Sequence, residues 1–239
     1  MVASRSPSDL RLDAQQFFTP EHPPEHLESI LKRNRFDGSI AVARNAEETR
    51  WFLNLAEEHD FIRGVVGTAG WPGARRGDPQ PHPKLKALAW VGEEPPESAP
   101  PLPLETASID AAFRMAGRFP NLRIAVVDLG GPALGQSAGI WARALECAAR
   151  YPNVFVKASG LLRLAPKPWK APDIRPFVQH ALRVFGPERM MFGSDWPSGL
   201  PDSIWKESLA LFTQAIGAQS IASRDELLGG TAHRFYALD

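Results

Sequence analysis

The sequence predicts an α/β fold, a (β/α)8 TIM-type barrel in which two of the outer helices are missing. Short apolar runs recur eight times, and several are continuous, as is typical of strands that are covered on both faces. Helical patterns separate most of these runs, and strands that alternate with helices pair in parallel. The length of 239 residues is also close to the roughly 250 residues of a typical barrel.

The predicted strands follow from the β-branched and apolar runs, taken in chain order. They are Leu10–Ala14, Ser39–Ala43, Ile62–Thr68, Leu85–Val91, Leu102–Ala107, Arg123–Asp128, Asn153–Ser159 and Arg189–Asp195. The predicted helices between them are Pro24–Arg35, Ala46–His59, Ser108–Phe119, Gly139–Tyr151, Asp173–Phe185 and Asp202–Ile216. A last helix is expected to begin at Ser223, with Ser223 as its N-cap and Glu226 completing a capping box.

Two connections are too rich in proline for a normal helix. Ala69–Lys84 has four prolines and three glycines, and Gly92–Pro101 has four prolines in ten residues. Proline lacks the amide donor and clashes with the preceding turn, so the helices between strands 3 and 4 and between strands 4 and 5 should be reduced to loops. The alternative is a linker between two domains, but each flank is too short to close its own core. We therefore expect one barrel domain over residues 1–239, with residues 1–9 as a flexible N-terminus.

Composition excludes several classes of protein. The 27 basic and 27 acidic side chains balance, which argues against a nucleic-acid-binding module and gives no attraction to an anionic membrane. Cys147 is the single cysteine, so neither an intrachain disulfide nor a cysteine-rich zinc site is possible. No apolar run reaches the roughly 18 residues that span a bilayer, and the N-terminus lacks a signal-peptide core. We expect a cytoplasmic protein with a small-molecule substrate as its partner.

The most specific segment is Phe185–Pro197, FGPERMMFGSDWP, in which a buried strand ends at an aspartate followed by Trp-Pro. It resembles the last strand of the amidohydrolase-related family, which includes lactonases, 2-pyrone-4,6-dicarboxylate hydrolases and related decarboxylases. Four other segments are similar in the same order: Asn45–Trp71, Val126–Pro132, Asn153–Leu161 and Arg224–Tyr236. The resemblance implies a barrel with its active site at the carboxyl ends of the strands.

Three residues match the family's catalytic positions. The resemblance implies that Asp195 is the general base, or a carboxylate beside a metal, at the end of strand 8. Lys157 and Ser159 match the pattern of strand 7 and are expected to orient the substrate. Lys157 lies on a buried strand, so it should pair with Asp128 or Asp195 or hold a substrate carboxylate as a point charge. Arg163 is a candidate for a second anion contact, with an exposed loop arginine as the alternative.

The departures from the family pattern concern histidines that the family uses in metal binding. Where the first strand of the family ends in Asp-x-His-x-His, this chain has Asp13, Gln15 and Phe17, and Trp90 and Leu129 stand at two further histidine positions. A zinc site needs about three protein ligands, so we predict no metal and no cofactor. If a metal were bound, the additional ligands would be Asp13, Asp128, His22 and His26, although both histidines are expected to be surface loop residues. The expected substrate-binding residues are Asp13, Gln15, Phe17, Trp90, Asp128, Arg163 and Trp196, with Trp90, Trp196 and Phe17 at the mouth of an aromatic pocket.

These observations favour a metal-independent hydrolase of a lactone or a similar activated carbonyl, with Asp195 as general base. One alternative is a cyclase or isomerase that uses the same aspartate on a hydrophobic substrate. Another is a catalytically degenerate homologue that acts as a binding or partner subunit. An open pocket that ends on Asp195 would favour an enzyme, and a filled barrel mouth would favour the subunit.

The missing helices also predict association. The outward side chains of Ile62–Thr68, Leu85–Val91 and Leu102–Ala107 should form one apolar strip with thin cover. Large exposed apolar patches usually mark an interface, so we expect a homodimer, or a complex with a related barrel, through this side. The alternative is that the proline-rich loops fold back and cover the strip.

Overall fold

The computed structural model describes residues 10–68, 82–132, 138–198 and 201–238. Eight parallel strands form one sheet in sequence order. They are β1 (Leu12–Gln16), β2 (Gly38–Val42), β3 (Ile62–Thr68), β4 (Leu85–Ala89), β5 (Leu104–Thr106), β6 (Ile124–Val126), β7 (Val154–Ala158) and β8 (Met190–Phe192). Main-chain hydrogen bonds join the ends of β1 and β8, from Phe17 N–H to the Trp196 carbonyl at 3.0 Å and from Asp195 N–H to the Gln15 carbonyl at 2.9 Å. The predicted α/β barrel is confirmed.

Helices cover the outside of the barrel between most strands. They are α1 (Pro24–Arg33), α2 (Ala46–Glu58), α3 (Ile109–Arg118), α4 (Ala138–Ala149), α5 (Leu161–Leu164), α6 (Ala171–Phe185), α7 (Pro201–Ile216), α8 (Ile221–Asp225) and α9 (Thr231–Tyr236). The predicted N-cap at Ser223 is wrong. The N-cap of helix α8 is Ser220, three residues earlier, whose side chain accepts the Ser223 N–H at 3.0 Å. No helix in the described part of the chain is both long and apolar enough to cross a membrane.

The loop between β4 and β5 contains no helix, as its proline content predicts. Side chains of α3 and its N-cap hold this loop: Ser108 donates to Glu93 at 3.0 Å, Arg114 pairs with Glu94, and Arg118 donates to the Glu97 carbonyl at 2.8 Å. Residues 69–81 of the other proline-rich connection lie outside the described residues, as does the N-terminal segment 1–9. The strands on either side of each connection pair directly, as expected for loops within one barrel.

The predicted exposed strip on β3, β4 and β5 is wrong. Leu85, Leu88 and Leu104 are at most 2% exposed within the single chain. They belong to the same apolar core as side chains of α2 and α3. Because the strip is covered, it no longer supports the homodimer, which stays an untested prediction.

A second, smaller core fills the barrel interior. Small and branched side chains of the strands, among them Ala14, Val66 and Ala125, pack there against Phe235 and Tyr236 of α9. Arg123, just before β6, donates to the Arg234 carbonyl, so α9 lies at the amino ends of the strands. The C-terminal helix α9 therefore closes the barrel at the amino ends of the strands and leaves their carboxyl ends free to form a site.

Candidate active site

Polar side chains from four strands meet at the carboxyl edge of the barrel. Gln15 lies near the end of β1, while Asp128, Ser159 and Asp195 follow β6, β7 and β8. In parallel barrels this edge carries the chemistry, because the loops that leave it are free to vary. Both aspartates have left-handed backbones, with φ of 52° at Asp128 and 62° at Asp195. Such conformations are uncommon outside glycine and cluster at functional sites.

Three groups fix the carboxylate of Asp195. The Gln15 amide donates to Oδ1 at 3.0 Å, and the Ser198 hydroxyl donates to Oδ2 at 3.1 Å. The Nε of Arg163 lies 3.6 Å from Oδ2. The side chain is 10% exposed, so it is held firmly and yet borders a cavity. These contacts fix the orientation of the Asp195 carboxylate at the edge of the cavity.

Asp128 connects Arg163 to the strand ends. The Nη2 of Arg163 is 2.7 Å from Asp128 Oδ2, and the Ser159 hydroxyl donates to Oδ1 at 2.7 Å. Partial burial opposes the charge on Arg163, but the hydrogen bond and charge of Asp128, together with the charge of Asp195, outweigh it and raise the pKa of Arg163. Ser159 itself is fully buried and reaches the site through Asp128.

The predicted partners of Lys157 are wrong. Its ammonium pairs with neither Asp128 nor Asp195 but with Glu105 on β5, whose Oε2 lies 2.7 Å away, and both side chains are at most 2% exposed. The hydroxyl of Tyr236 donates to the other oxygen of Glu105. Sequence reasoning missed Glu105, although a charged residue on a short buried strand was a usable signal. A charged residue at a buried position needs a partner of opposite charge, so Glu105 on its strand predicts a second buried charge in the barrel.

Asp13 was expected to bind substrate but lies behind the site. It is fully buried and accepts four hydrogen bonds, from Ser194 N–H at 2.8 Å, Ser194 Oγ at 2.5 Å, Trp205 Nε1 at 2.8 Å and Gln15 N–H at 3.2 Å. Burial raises its pKa from 3.8 to about 6, against the lowering effect of these donors. Asp13 thus positions Ser194, which precedes Asp195, and Gln15, which hydrogen-bonds it, rather than a ligand.

The aromatic residues occupy different places from those expected. Trp196 is fully buried and stacks edge-on against Phe18 and His22, so its predicted place at the pocket mouth is wrong. Phe17 packs against the outer core, with Arg44 over its ring. Of the three predicted aromatic residues, Trp90 is the one that lines a cavity.

Two cavities open near Asp195. The Arg163 cavity, of about 280 Å³, is lined by Gly160, Arg163, Lys167, Asp195, Ser198 and Ile204, among others. The Glu105 cavity, of about 300 Å³, is lined by Gln15, Val42, Ala89, Trp90, Glu93 and Glu105, among others. Gln15 lines the second cavity and hydrogen-bonds the carboxylate that lines the first. Lys157 does not line either of them.

A larger cavity of about 370 Å³ lies at the opposite end of the barrel. Its lining is made of prolines, Arg118, Phe119, Arg123 and neighbouring residues, with no carboxylate or nucleophile. General-base chemistry needs such a group beside the substrate. We therefore place the chemistry at the carboxyl ends of the strands.

The donor set at this site does not fit a metal ion. Across residues 10–68, 82–132, 138–198 and 201–238, no group of three or more His, Cys, Asp or Glu side chains is placed to hold one. Asp128 and Asp195 both face Arg163, whose positive charge competes with a cation. His22 contacts Thr19 and Trp196, and His26 is exposed on α1 rather than in a loop as expected.

Comparison with known proteins supports the resemblance seen in the sequence. L-fucono-1,5-lactonase of Burkholderia multivorans is 29% identical over 260 residues, which cover 91% of this chain and 86% of the relative. A crystal structure of an amidohydrolase from Burkholderia multivorans with bound zinc is 26% identical, with a TM-score of 0.77, and covers 96% of this chain and 100% of that one. A Pseudomonas putida protein described as a 2-pyrone-4,6-dicarboxylic acid hydrolase shares the fold at 20% identity and a TM-score of 0.76, covering 96% and 98% of the two chains.

The sequence profile of the amidohydrolase family matches residues 52–238. This range includes six of the eight strands, β3 to β8, and the segment that carries Asp195. The resemblance first carried by Phe185–Pro197 is confirmed. Since the match spans most of the chain, the protein belongs to the amidohydrolase family.

Proposed function

We propose that this protein hydrolyses a lactone, with Asp195 as general base and without a metal ion. The observation that carries the proposal is the pairing of a fixed carboxylate with a cationic side chain, Arg163, at one cavity. The name of the 29% identical relative, a sugar lactonase, supports a cyclic ester of a sugar as the substrate class.

The geometry suggests a role for each group. Asp195 removes a proton from a water molecule as the water attacks the lactone carbonyl carbon. The guanidinium of Arg163 faces the oxygen on which negative charge develops, and stabilisation of this kind is commonly the largest single contribution to catalysis. The ring C–O bond then breaks, and protonated Asp195 returns its proton to the departing alkoxide. The product is a hydroxy acid, whose new carboxylate faces Arg163 and Lys167.

Neighbouring residues keep this arrangement in place. Gln15 and Ser198 orient the two oxygens of Asp195, and Asp128 fixes Arg163 from the other side. Arg163 is 55% exposed, which leaves its guanidinium accessible to a ligand. In this proposed metal-independent reaction the charge of Arg163 stabilises the oxyanion, and Ser159 acts through Asp128.

The lining of the cavities favours this reaction over the alternatives. An open cavity lined by Asp195 is the feature expected of an enzyme rather than of a degenerate subunit. Cyclisation of a hydrophobic substrate has no use for a cation beside the acid, whereas Arg163 lies 3.6 Å from Asp195 in the Arg163 cavity, which Lys167 and Ser198 also line. These charged and polar groups suit the oxyanion and carboxylate that hydrolysis produces.

The test is a panel of 1,5-lactones assayed for acid release. We expect Asp195→Asn to lower kcat by about 10²–10⁴-fold and Arg163→Met by about 10²–10³-fold, with unchanged folding. The matched control is Asp173→Asn, on an exposed site of α6, which should retain full activity. Turnover should also survive dialysis against EDTA. Full activity in Asp195→Asn would refute its role, and loss of activity on dialysis that zinc restores would refute metal independence.

A further inference from the structure

The Glu105 cavity contains a carboxylate to which the proposed reaction assigns no role. Glu105 stands on β5 and lines this cavity, with Trp90 and Gln15 among the other lining residues. Its side chain is 2% exposed, and the groups that bind its carboxylate lie in the barrel interior. A buried charge is costly unless it is paired and hydrogen-bonded, so the donors around Glu105 decide what it can do.

Both oxygens of Glu105 have donors on the interior side. Lys157 Nζ lies 2.7 Å from Oε2, and the hydroxyl of Tyr236 donates to Oε1. The Lys157 ammonium also lies 5.8 Å from the centre of the Tyr236 ring. Each carboxylate oxygen of Glu105 thus has its own donor, one of them cationic. Burial raises the pKa of Tyr236 well above its usual value, and Glu105 and Asp13 raise it further. The phenol therefore stays protonated and can act as a donor.

Glu105 lines the cavity and has acceptor capacity left. A carboxylate accepts up to about four hydrogen bonds, and the interior donors use two. Glu93 adds a second acidic group to the lining, and no lysine or arginine belongs to it. The Arg163 cavity is lined instead by two cationic side chains, so the two cavities differ in charge on either side of the Gln15–Asp195 pair.

We infer that the Glu105 cavity is a subsite for an uncharged, hydroxyl-bearing part of the ligand, and that Glu105 determines this specificity. Hydroxyl groups donate to Glu105 while the ring lies against Trp90. A carboxylate in the same place meets the carboxylate of Glu105, whose cationic partner Lys157 is not part of the cavity lining. The assignment rests on the proposed function for the orientation of the ligand, with the acyl carbon toward Arg163 and the hydroxylated ring over Glu105.

Binding of two unreactive rings tests the subsite separately from hydrolysis. The probes are 1,5-anhydro-D-glucitol, which is neutral and has no ester, and its uronate counterpart, in which a carboxylate replaces the hydroxymethyl group. Isothermal titration calorimetry gives the ratio of their dissociation constants. We expect wild-type protein to prefer the neutral ring by about tenfold or more, as loss of a hydrogen bond to a charged group implies.

The deciding variant is Glu105→Gln, which keeps the shape of the side chain and removes its charge. The preference should fall below about threefold, since an amide can donate to a carboxylate. Glu94→Gln is the matched control, because Glu94 is 78% exposed and does not line the cavity, and it should keep the wild-type ratio. If Glu105→Gln does not fold because Lys157 loses its partner, the double variant Glu105→Gln/Lys157→Met removes both buried charges and takes the same measurement.

Three results would overturn the inference: no detectable binding of the neutral ring, equal binding of both rings by wild type, or an unchanged preference in the Glu105 variant. A protein that shows the expected ratios but hydrolyses no lactone would contradict the proposed reaction and leave the subsite standing. A protein that hydrolyses a lactone but shows no preference between the rings would contradict the subsite and leave the proposed reaction standing.

Discussion

Replacing Asp13 with asparagine tests whether a buried acid behind Asp195 makes the stability of the barrel depend on pH. Asp13 is fully buried, and burial raises its pKa from 3.8 to about 6. The folded protein therefore holds a proton over a range in which the unfolded chain has lost it. A difference of about 2 pKa units corresponds to roughly 3 kcal/mol of unfolding free energy.

The sign follows from the proton counts. Below about pH 3.8 both states are protonated and Asp13 costs nothing. Between pH 3.8 and about 6 the folded state binds more protons, so stability falls as the pH rises. Above about pH 6 the full cost is present and stays constant. About 2 of the roughly 3 kcal/mol of unfolding free energy are lost as the pH rises from about 4.5 to 7.

Asparagine removes the titration and keeps the shape. Its amide oxygen can serve one pair of donors, either those on Oδ1 or those on Oδ2, while the NH₂ group faces the others. This adds a pH-independent cost of about 1–3 kcal/mol. The informative quantity is the wild-type unfolding free energy minus that of Asp13→Asn, measured by urea denaturation across the same pH series.

We expect this difference to decrease by about 2 kcal/mol from about pH 4.5 to 7. The corresponding difference for Asp173→Asn, at an exposed position, should stay flat. A change smaller than about 0.5 kcal/mol for Asp13→Asn, or an increase with pH, would refute the reasoning, because either result means that the carboxylate is ionised in the folded protein throughout the series.

Two further substitutions test the site and the barrel interior. In Gly160→Ala, where φ is +61°, a Cβ would lie 2.6 Å from Arg163 Nη2 and 2.9 Å from Asp128 Oδ1. We therefore expect a loss of about 1–3 kcal/mol in stability and a fall of at least about tenfold in kcat/KM. The control Gly217→Ala, with φ +72° and space for a Cβ, should lose similar stability and keep its activity, and equal activity in both alanine variants would contradict the role of the Arg163–Asp128 pair. Lys157→Met leaves Glu105 buried without its cation and should cost about 3–5 kcal/mol in chemical denaturation. A cost below about 1 kcal/mol would contradict the stabilising role of the Lys157–Glu105 pair.

Local sequence was enough to predict the barrel, because each strand carries its own signal. Strand β3 occupies Ile62–Thr68 as predicted, and the proline-rich loop between β4 and β5 has no helix. Strand β8 was predicted to reach Asp195 but ends at Phe192. The chain turns there toward β1, where Asp195 N–H bonds the Gln15 carbonyl instead of β7. That turn depends on closure of the barrel, which no local pattern describes.

The site was predictable only in part. Asp195 stands in a motif that could be compared with a family, and the structure places it beside a cavity. The partners of buried charges could not be predicted, because they depend on which side chains meet across the barrel. Lys157 and Glu105 lie 52 positions apart on strands that are not neighbours in the sheet. Trp196 was misplaced for the same reason, since the turn after β8 directs it into the core.

The acidic groups near the site illustrate how environment separates similar residues. Asp128 and Asp195 share Arg163, and Glu105 has Lys157, so each of these carboxylates has a cation within 3.6 Å. Asp13 has hydrogen-bond donors but no cation among its contacts, and burial raises its pKa to about 6. Four donors at Asp13 therefore do not offset the cost of full burial. Position separates the roles further: Asp195 borders the Arg163 cavity, where it can move a proton in the reaction we propose, whereas Asp13 is fully buried and acts through stability and position.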